Sequence, residues 1–306
     1  MNVDLFSKLL RDLETEIGTR DLADLVLRAL MVSIDNFSGK DVKDFCKQFH
    51  ELKDIISNTE PKFGVLNYHF AQMTMEFEKD LLCLKGNCEG WKHKALKKIE
   101  KILAVARAHK TEILQHAAAL DVEGKTILIH DHSHTVQDVL LSLKRSGRHF
   151  TVVIAEQDLE KSQSNIESMH AAEIPFKVIP AYMLSHIHKQ IDMLFFGALT
   201  FKDTMHFVMD PGTHSIISEF HLEKVPVYMF FDTTKFSLWK SQKRGEVFMK
   251  AHSKQHCSKD IIYDQVKYSH DRVPVNLFKK IVTNEGKFTP DAFKKLYKER
   301  FVKYTS

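Results

Sequence analysis

Residues 126 to 134 read Thr-Ile-Leu-Ile-His-Asp-His-Ser-His. The first four residues are β-branched or aliphatic, which is typical of a short strand buried on both faces. The next five form a polar cluster where that strand should end. Segments before this stretch have helical periodicity, and segments after it alternate between strand-like and helix-like patterns. The stretch therefore predicts the junction between two architectures.

On the amino-terminal side, apolar residues recur at the spacing of amphipathic helices. One such series runs from Leu5 to Ile17. Gly18, residues 36–39 and residues 58–61 are the expected interruptions between helices. A long apolar stripe over residues 91–120 predicts the last of these helices. The pattern indicates an all-helical domain that ends at residue 120.

On the carboxyl-terminal side, short apolar runs are separated by segments of helical length. Strands that are apolar on both faces and joined by helices form parallel sheets covered on both sides. The sequence therefore predicts an α/β fold in which the helical domain is followed by a Rossmann-like parallel-sheet domain over residues 121–306. The predicted strands are 126–129, 151–155, 176–179, 193–196 and 225–231, and the predicted helices between them are 135–146, 163–172 and 215–223.

Ligands of such sheets bind beyond the carboxyl ends of the strands. The polar cluster at 130–134 follows the first predicted strand, and Lys235 follows the fifth. Gly212 and Thr213 precede a predicted helix, whose exposed amides could hold an anion. These residues define the candidate ligand crevice.

The three histidines of the polar cluster allow three interpretations. His130, His132 and His134 alternate, so an extended segment would place them on one side, where they could bind a metal. Together with the Ser133 hydroxyl they could instead bind a phosphate. Ser133 could also do no more than cap the following helix.

Composition and motifs exclude several classes of protein. The 44 basic and 40 acidic residues leave a net charge of +4, which argues against direct binding of nucleic acid. We expect no membrane span, no signal sequence and no cofactor, because apolar stretches are short and phosphate-loop and dinucleotide motifs are absent. The four cysteines lack metal-like spacing, which predicts reduced thiols and a cytoplasmic protein.

Short matches in a fixed order give the chain a family resemblance. It resembles the family that contains the alpha, beta and delta subunits of translation initiation factor 2B, together with ribose-1,5-bisphosphate isomerase and methylthioribose-1-phosphate isomerase. The resemblance covers about residues 123–305 and, more loosely, the helical domain. The matching segments are 58–61 with Asn67, 126–130 with Ser133, 153–156, 171–175, 192–198, 212–213, 225–228, 235–236 and 271–290.

The chain departs from the isomerases of this family at positions that carry their chemistry. The resemblance implies a cysteine two residues before Ser133, where Asp131 stands, and an aspartate after the Gly-Ala of the fourth strand, where Leu199 stands. Leucine can serve neither as acid nor as base in an isomerisation. Basic residues of the family are also replaced at Glu60 and at 209–210.

We therefore expect a non-catalytic, regulatory or subunit-like protein that binds a phosphorylated small molecule, either a sugar phosphate or a nucleotide. The resemblance implies a homodimer or a subunit of a larger assembly. The alternative is a sugar-phosphate isomerase with an altered site, in which Asp131 and His132 supply the acid and base. A metal site is the third hypothesis. The predicted ligand-binding residues are His130, Ser133, His134, Gly197, Gly212, Thr213 and Lys235.

Overall fold

Two compact units make up the chain. The first comprises Met1–His109 and Thr234–Phe236, and the second comprises Lys110–Thr233 and Ser237–Ser306. The structure is a computed structural model that describes residues 3–38, 42–58, 63–83, 88–130, 132–157, 159–238, 254–258, 261–265, 268 and 270–305. The domain boundary predicted at residue 120 stays a prediction.

The first unit contains long helices. They are α1 Val3–Asp35, α2 Val42–Ser57, α3 Gly64–Cys83 and the part of α4 Cys88–Ala117 that ends at His109. Gly18 has φ 81° and ψ 161°, which are not helical angles, so α1 is kinked where the sequence predicts an interruption. The fully buried Trp91 packs on Phe45, with ring centroids 4.6 Å apart, and on Phe77. Residues 59–61 of the predicted break before α3 lie outside the described residues.

The second unit is built on a seven-stranded sheet in the order β3-β2-β1-β4-β7-β11-β12. Its strands, with those of two smaller sheets, are β1 Lys125–His130, β2 Phe150–Glu156, β3 Phe176–Pro180, β4 Met193–Gly197, β5 Thr200–Phe201, β6 His206–Met209, β7 Val227–Phe231, β8 Lys254–Ser258, β9 Ile261–Gln265, β10 Asp271–Pro274, β11 Lys280–Thr283 and β12 Gly286–Phe288. The helices are α5 His134–Arg145, α6 Leu159–Ala171, α7 Thr213–Leu222 and α8 Pro290–Thr305. Neighbouring strands are parallel except β12, which is antiparallel to β11.

The six parallel strands have the order of a Rossmann sheet, and the predicted fold class is confirmed. The chain runs from β1 outward through β2 to β3, and then crosses to β4 and continues through β7 to β11. The strand order therefore reverses between β1 and β4. Such a switch point is where ligands of doubly wound sheets bind.

A side-chain contact fixes β1 and β4 together at the opposite end of the sheet. Asp192 accepts a hydrogen bond from the backbone amide of Thr126 at 2.8 Å, and its own amide donates to the Thr126 carbonyl at 3.0 Å. Lys125 lies 3.7 Å from the same carboxylate. These bonds hold the register that pairs Leu128 with Leu194.

Several elements of the second unit were not predicted from the sequence. They are the hairpin of β8 and β9, the small sheet ordered β10-β6-β5, and the strands β11 and β12 beyond β7 in the main sheet. Strand β7 also begins two residues later than predicted, after Pro226, which has no amide to donate.

An aromatic cluster joins two strands of the small sheet, β5 and β6, to helix α8. Phe201 packs on Phe207 at 4.7 Å and on Phe293 at 4.9 Å between ring centroids. The buried phenol of Tyr297 donates to the Ser237 carbonyl at 2.6 Å. Burial, and to a smaller extent the Asp203 carboxylate, raises the pKa of Tyr297.

None of the helices in the described part of the chain is long and apolar enough to cross a membrane.

Candidate functional site

His130, the last residue of β1, is buried and faces two backbone carbonyls. Its Nδ1 lies 3.1 Å from the Ala155 oxygen, and its Nε2 lies 3.5 Å from the Pro211 oxygen. A neutral imidazole carries one N–H, so it can donate to only one of these oxygens at a time. The ring therefore lies between the end of β2 and the loop before α7 and can bond to one of them.

Ser133 and Gly197 are brought together at the switch point. Ser133 is the N-cap of α5, and its Oγ accepts a hydrogen bond from the Val136 amide at 3.4 Å. A Cβ built on Gly197 would lie 2.1 Å from Ser133 Oγ and 2.9 Å from Ser133 Cβ. Only glycine lets the end of β4 approach this cap so closely. The capping interpretation of Ser133 is thus observed, and the ligand-binding one stays a prediction.

His132 and His134 form a separate pair. Their ring centroids are 4.4 Å apart, and His132 Nε2 lies 3.0 Å from Ser164 Oγ on α6. Within the ranges that the structure describes, no group of three histidine, cysteine or acidic side chains is placed to hold a metal ion. Asp131, the candidate base of the isomerase hypothesis, lies outside the described residues.

Gly212 and Thr213 form the start of α7, as the predicted anion loop requires. Gly212 is the N-cap with a φ of 87°, which favours glycine. The Thr213 side chain is buried, and its Oγ1 has no hydrogen-bond partner among the described residues. Asp271 accepts the His214 amide at 2.9 Å, so one amide of this helix end already faces a carboxylate.

Leu199, which stands where the isomerases have an aspartate, and Lys235, the last of the predicted ligand-binding residues, differ in their setting. Leu199 is half-buried, and its amide donates to the Val208 carbonyl at 3.0 Å, which ties it to the small sheet. Lys235 is half-buried and ends a 3-10 turn, Thr233–Lys235, that follows β7. Lys235 belongs to the first unit.

A polar network at the ends of β7 and β11 was missed by the sequence analysis. The Thr233 amide donates to Asn284 Oδ1 at 3.0 Å, and its hydroxyl donates to Glu285 Oε1 at 2.7 Å. Arg300 of α8 donates to the other oxygen of Glu285 at 2.8 Å. The signal in the sequence was the polar pair Asn284-Glu285 directly after the apolar run 281–282, which is the pattern of a strand end.

Comparison with known families and sequences gives consistent matches. A family model described as the initiation factor 2 subunit family matches residues 16–290. Translation initiation factor eIF2B subunit alpha of Dictyostelium discoideum is 27% identical over 152 residues, which are 49% of this chain and 47% of that protein. Translation initiation factor eIF2B subunit delta of Schizosaccharomyces pombe is 29% identical over 128 residues, 41% of this chain and 27% of that protein. The chain thus spans half or less of these relatives.

Solved structures of the same kind match the fold over nearly its whole length. The tetrameric eIF2B beta2-delta2 complex from C. thermophilum gives a TM-score of 0.73 at 16% identity, covering 98% of this chain and 95% of that one. Translation initiation factor eIF-2B of Pyrococcus horikoshii OT3 gives 0.70 at 19% identity, covering 93% and 98%. At these identities the likeness concerns the fold alone.

Proposed function

The chain belongs to the initiation factor 2 subunit family, and on that basis we propose that it is a non-catalytic, subunit-like member that binds a phosphorylated small molecule, either a sugar phosphate or a nucleotide. The site is the crevice beyond the ends of β1 and β4. A cytoplasmic location and assembly with a second copy or with other family subunits are parts of the same proposal.

The observation that supports a non-catalytic role is the chemistry at the end of β4. Aldose-ketose isomerisation needs an acid and a base within reach of the substrate. Leu199, which follows Gly197 and Ala198, has no titratable group, and its backbone is held in the small sheet. His130, at the end of the adjacent β1, directs both ring nitrogens at backbone carbonyls.

The start of α7 supports binding of an anionic ligand. Thr213 brings a hydroxyl that no described residue satisfies, and a buried polar group without a partner is costly. A phosphate oxygen at this helix end would accept a hydrogen bond from that hydroxyl and gain from the helix dipole. Because the Asp271 carboxylate lies at the same helix end, the phosphate must compete with it, and we expect modest affinity.

Support for a subunit-like role comes from the relatives. The eIF2B beta and delta chains of C. thermophilum form a tetrameric complex, and this chain has their fold over 98% of its length. We propose that it enters an assembly of the same kind.

The test is a thermal-shift panel of pentose phosphates and nucleoside monophosphates on the full chain. A compound at about 100 times its dissociation constant should add about 2.7 kcal/mol to the free energy of unfolding. Thr213→Val should abolish that shift. Without ligand it should leave stability unchanged or slightly higher, because it removes an unsatisfied hydroxyl at constant volume.

Ser218→Ala, a hydroxyl removed from the same helix, is the matched control and should keep the full shift. If no compound shifts the wild-type protein, the ligand part of the proposal is wrong. If the shift survives in Thr213→Val, the site lies elsewhere.

A further inference from the structure

A cavity of about 270 Å³ lies in the second unit. Gly212 lines it, and the other predicted site residues do not. Gln157, which follows β2, lines one part of its wall. Tyr182 and Ser185, from the 3-10 turn after β3, line another, and Ser215 and Glu219 of α7 complete it. The cavity therefore lies beyond the carboxyl ends of β2 and β3, where a sheet of this type presents loops to ligands.

Glu219 carries the only formal charge among the described residues that line this cavity. Its Oε1 lies 2.6 Å from His188 Nε2, which orients the carboxylate. Its other oxygen makes no hydrogen bond with a described residue. The cavity thus presents a carboxylate with one oxygen held by the protein and one available to a ligand.

Gly212 permits the close packing of the opposite wall. A Cβ at this position would lie 2.2 Å from Gln157 Oε1, the end of a flexible side chain, so the amide group lies directly across the start of α7. Gln157 lines the same cavity as Ser185 and Ser215, whose side chains offer an amide oxygen and two hydroxyls. All of these groups can accept hydrogen bonds.

The lining therefore complements a cation and opposes an anion. A carboxylate, two hydroxyls and an amide oxygen suit the three donors of a protonated primary amine. A phosphate would meet a like charge and no basic side chain of the lining. The volume falls just below the range of about 300–1,000 Å³ that is usual for drug-sized ligands, so the occupant must be small.

We propose that this cavity is a second ligand site that binds a small aliphatic amine through its ammonium group. Glu219 forms the ion pair, Ser185 and Ser215 accept the remaining N–H groups, and Gln157 closes the wall. Tyr182 adds an aromatic ring, which attracts cations. The ligand class differs from the anion proposed for the crevice, so the two sites can be tested separately.

The probe is putrescine, a four-carbon diamine, titrated calorimetrically into the full chain at neutral pH and about 150 mM salt, where weak surface attraction is screened. We expect saturable binding with one molecule per chain. The neutral diol of the same length, 1,4-butanediol, should not bind, because it lacks the charge that pairs with the carboxylate.

Glu219→Gln keeps the size and polarity of the side chain and should weaken putrescine binding at least tenfold. Ser215→Ala should weaken it several-fold. Glu223→Gln removes an exposed carboxylate at the end of the same helix and should leave binding unchanged.

Each of three results would overturn the proposal. They are the absence of saturable binding to the wild-type chain, equal affinity for the diol, and equal losses in Glu219→Gln and Glu223→Gln. The last would mean that the amine is attracted by the general surface charge. Circular dichroism of each variant establishes that a loss of binding is not a loss of folding.

Discussion

Replacement of Gly197 by alanine tests the contact between the end of β4 and the cap of α5. The added Cβ would lie 2.1 Å from Ser133 Oγ and 2.9 Å from Ser133 Cβ. The hydroxyl can rotate away, although it then loses its bond from the Val136 amide. The Cβ of Ser133 is fixed to the backbone, so β4 or the start of α5 must move.

The expected cost follows from these two contacts. Overpacking of a well-packed site costs about 1–3 kcal/mol. Ser133→Gly removes both of the atoms that the new Cβ would strike, and glycine at an N-cap costs only a few tenths of a kcal/mol. Gly197→Ala should therefore lower the free energy of unfolding by about 1–3 kcal/mol when it is introduced into the wild type. When it is introduced into the Ser133→Gly variant, the loss should be about 0.5 kcal/mol or less.

Equilibrium unfolding in urea of the four proteins in this cycle measures the coupling. Gly147→Ala is the contrasting control, because its added Cβ meets no atom within 4 Å but its φ is +82°. Its cost is one of backbone strain and should be the same with either residue at position 133. Equal costs of Gly197→Ala in the two backgrounds would refute the packing argument.

Three further substitutions test other parts of the second unit. Tyr297→Phe should lower the free energy of unfolding by about 1–3 kcal/mol in urea titrations, because it leaves the Ser237 carbonyl without its 2.6 Å bond. Because burial raises the pKa of Tyr297, the unfolded chain loses this proton first as the pH rises above about 10. The free energy of unfolding of the wild type should therefore fall as the pH rises in this range, and that of Tyr297→Phe should fall less steeply. Equal slopes for the two proteins would contradict the assignment of the fall to Tyr297. Asp192→Ala should cost about 1 kcal/mol, seen as a lower urea midpoint, because it removes the acceptor of the Thr126 amide. Glu285→Ala should cost about 1–2 kcal/mol through its two hydrogen bonds, and an unchanged midpoint would show that the network is not stabilising.

The central strands were predictable because each carries its own signal. The four apolar residues 126–129 and the run 193–196 are long enough to indicate buried strands without knowledge of their neighbours. Strand β5 has only two residues, and β10, Asp271–Pro274, is half polar. Both strands pair with β6, which lies between them in the small sheet, although β10 is distant from β6 in the sequence.

The sequence predicted which candidate residues lie at strand ends, and it could not predict which residues they contact. The sequence placed Ser133 and Gly197 at strand ends that meet at the switch point. It could not show that these two residues, 64 positions apart, touch so closely that a methyl group does not fit. It also could not show that His130 faces backbone carbonyls, since those belong to Ala155 and Pro211 in distant segments.

The missed groups share one physical cause. Glu219 lines a cavity only because α7 packs near the end of β2, and Glu285 meets Thr233 only through the pairing of β11 with β7. Neither helical periodicity nor strand alternation encodes such pairings. Polar residues that directly follow a strand, such as Asn284, are the signal that could have drawn attention to them.

Direct assay of isomerase turnover tests the proposed non-catalytic role most sharply. The full chain is incubated with phosphorylated pentoses, and formation of the ketose is followed by nuclear magnetic resonance beside the Asp131→Asn variant. We predict that neither protein forms ketose above the uncatalysed background. Turnover by the wild type that Asp131→Asn abolishes would contradict the proposal and establish the chain as an isomerase with an altered site.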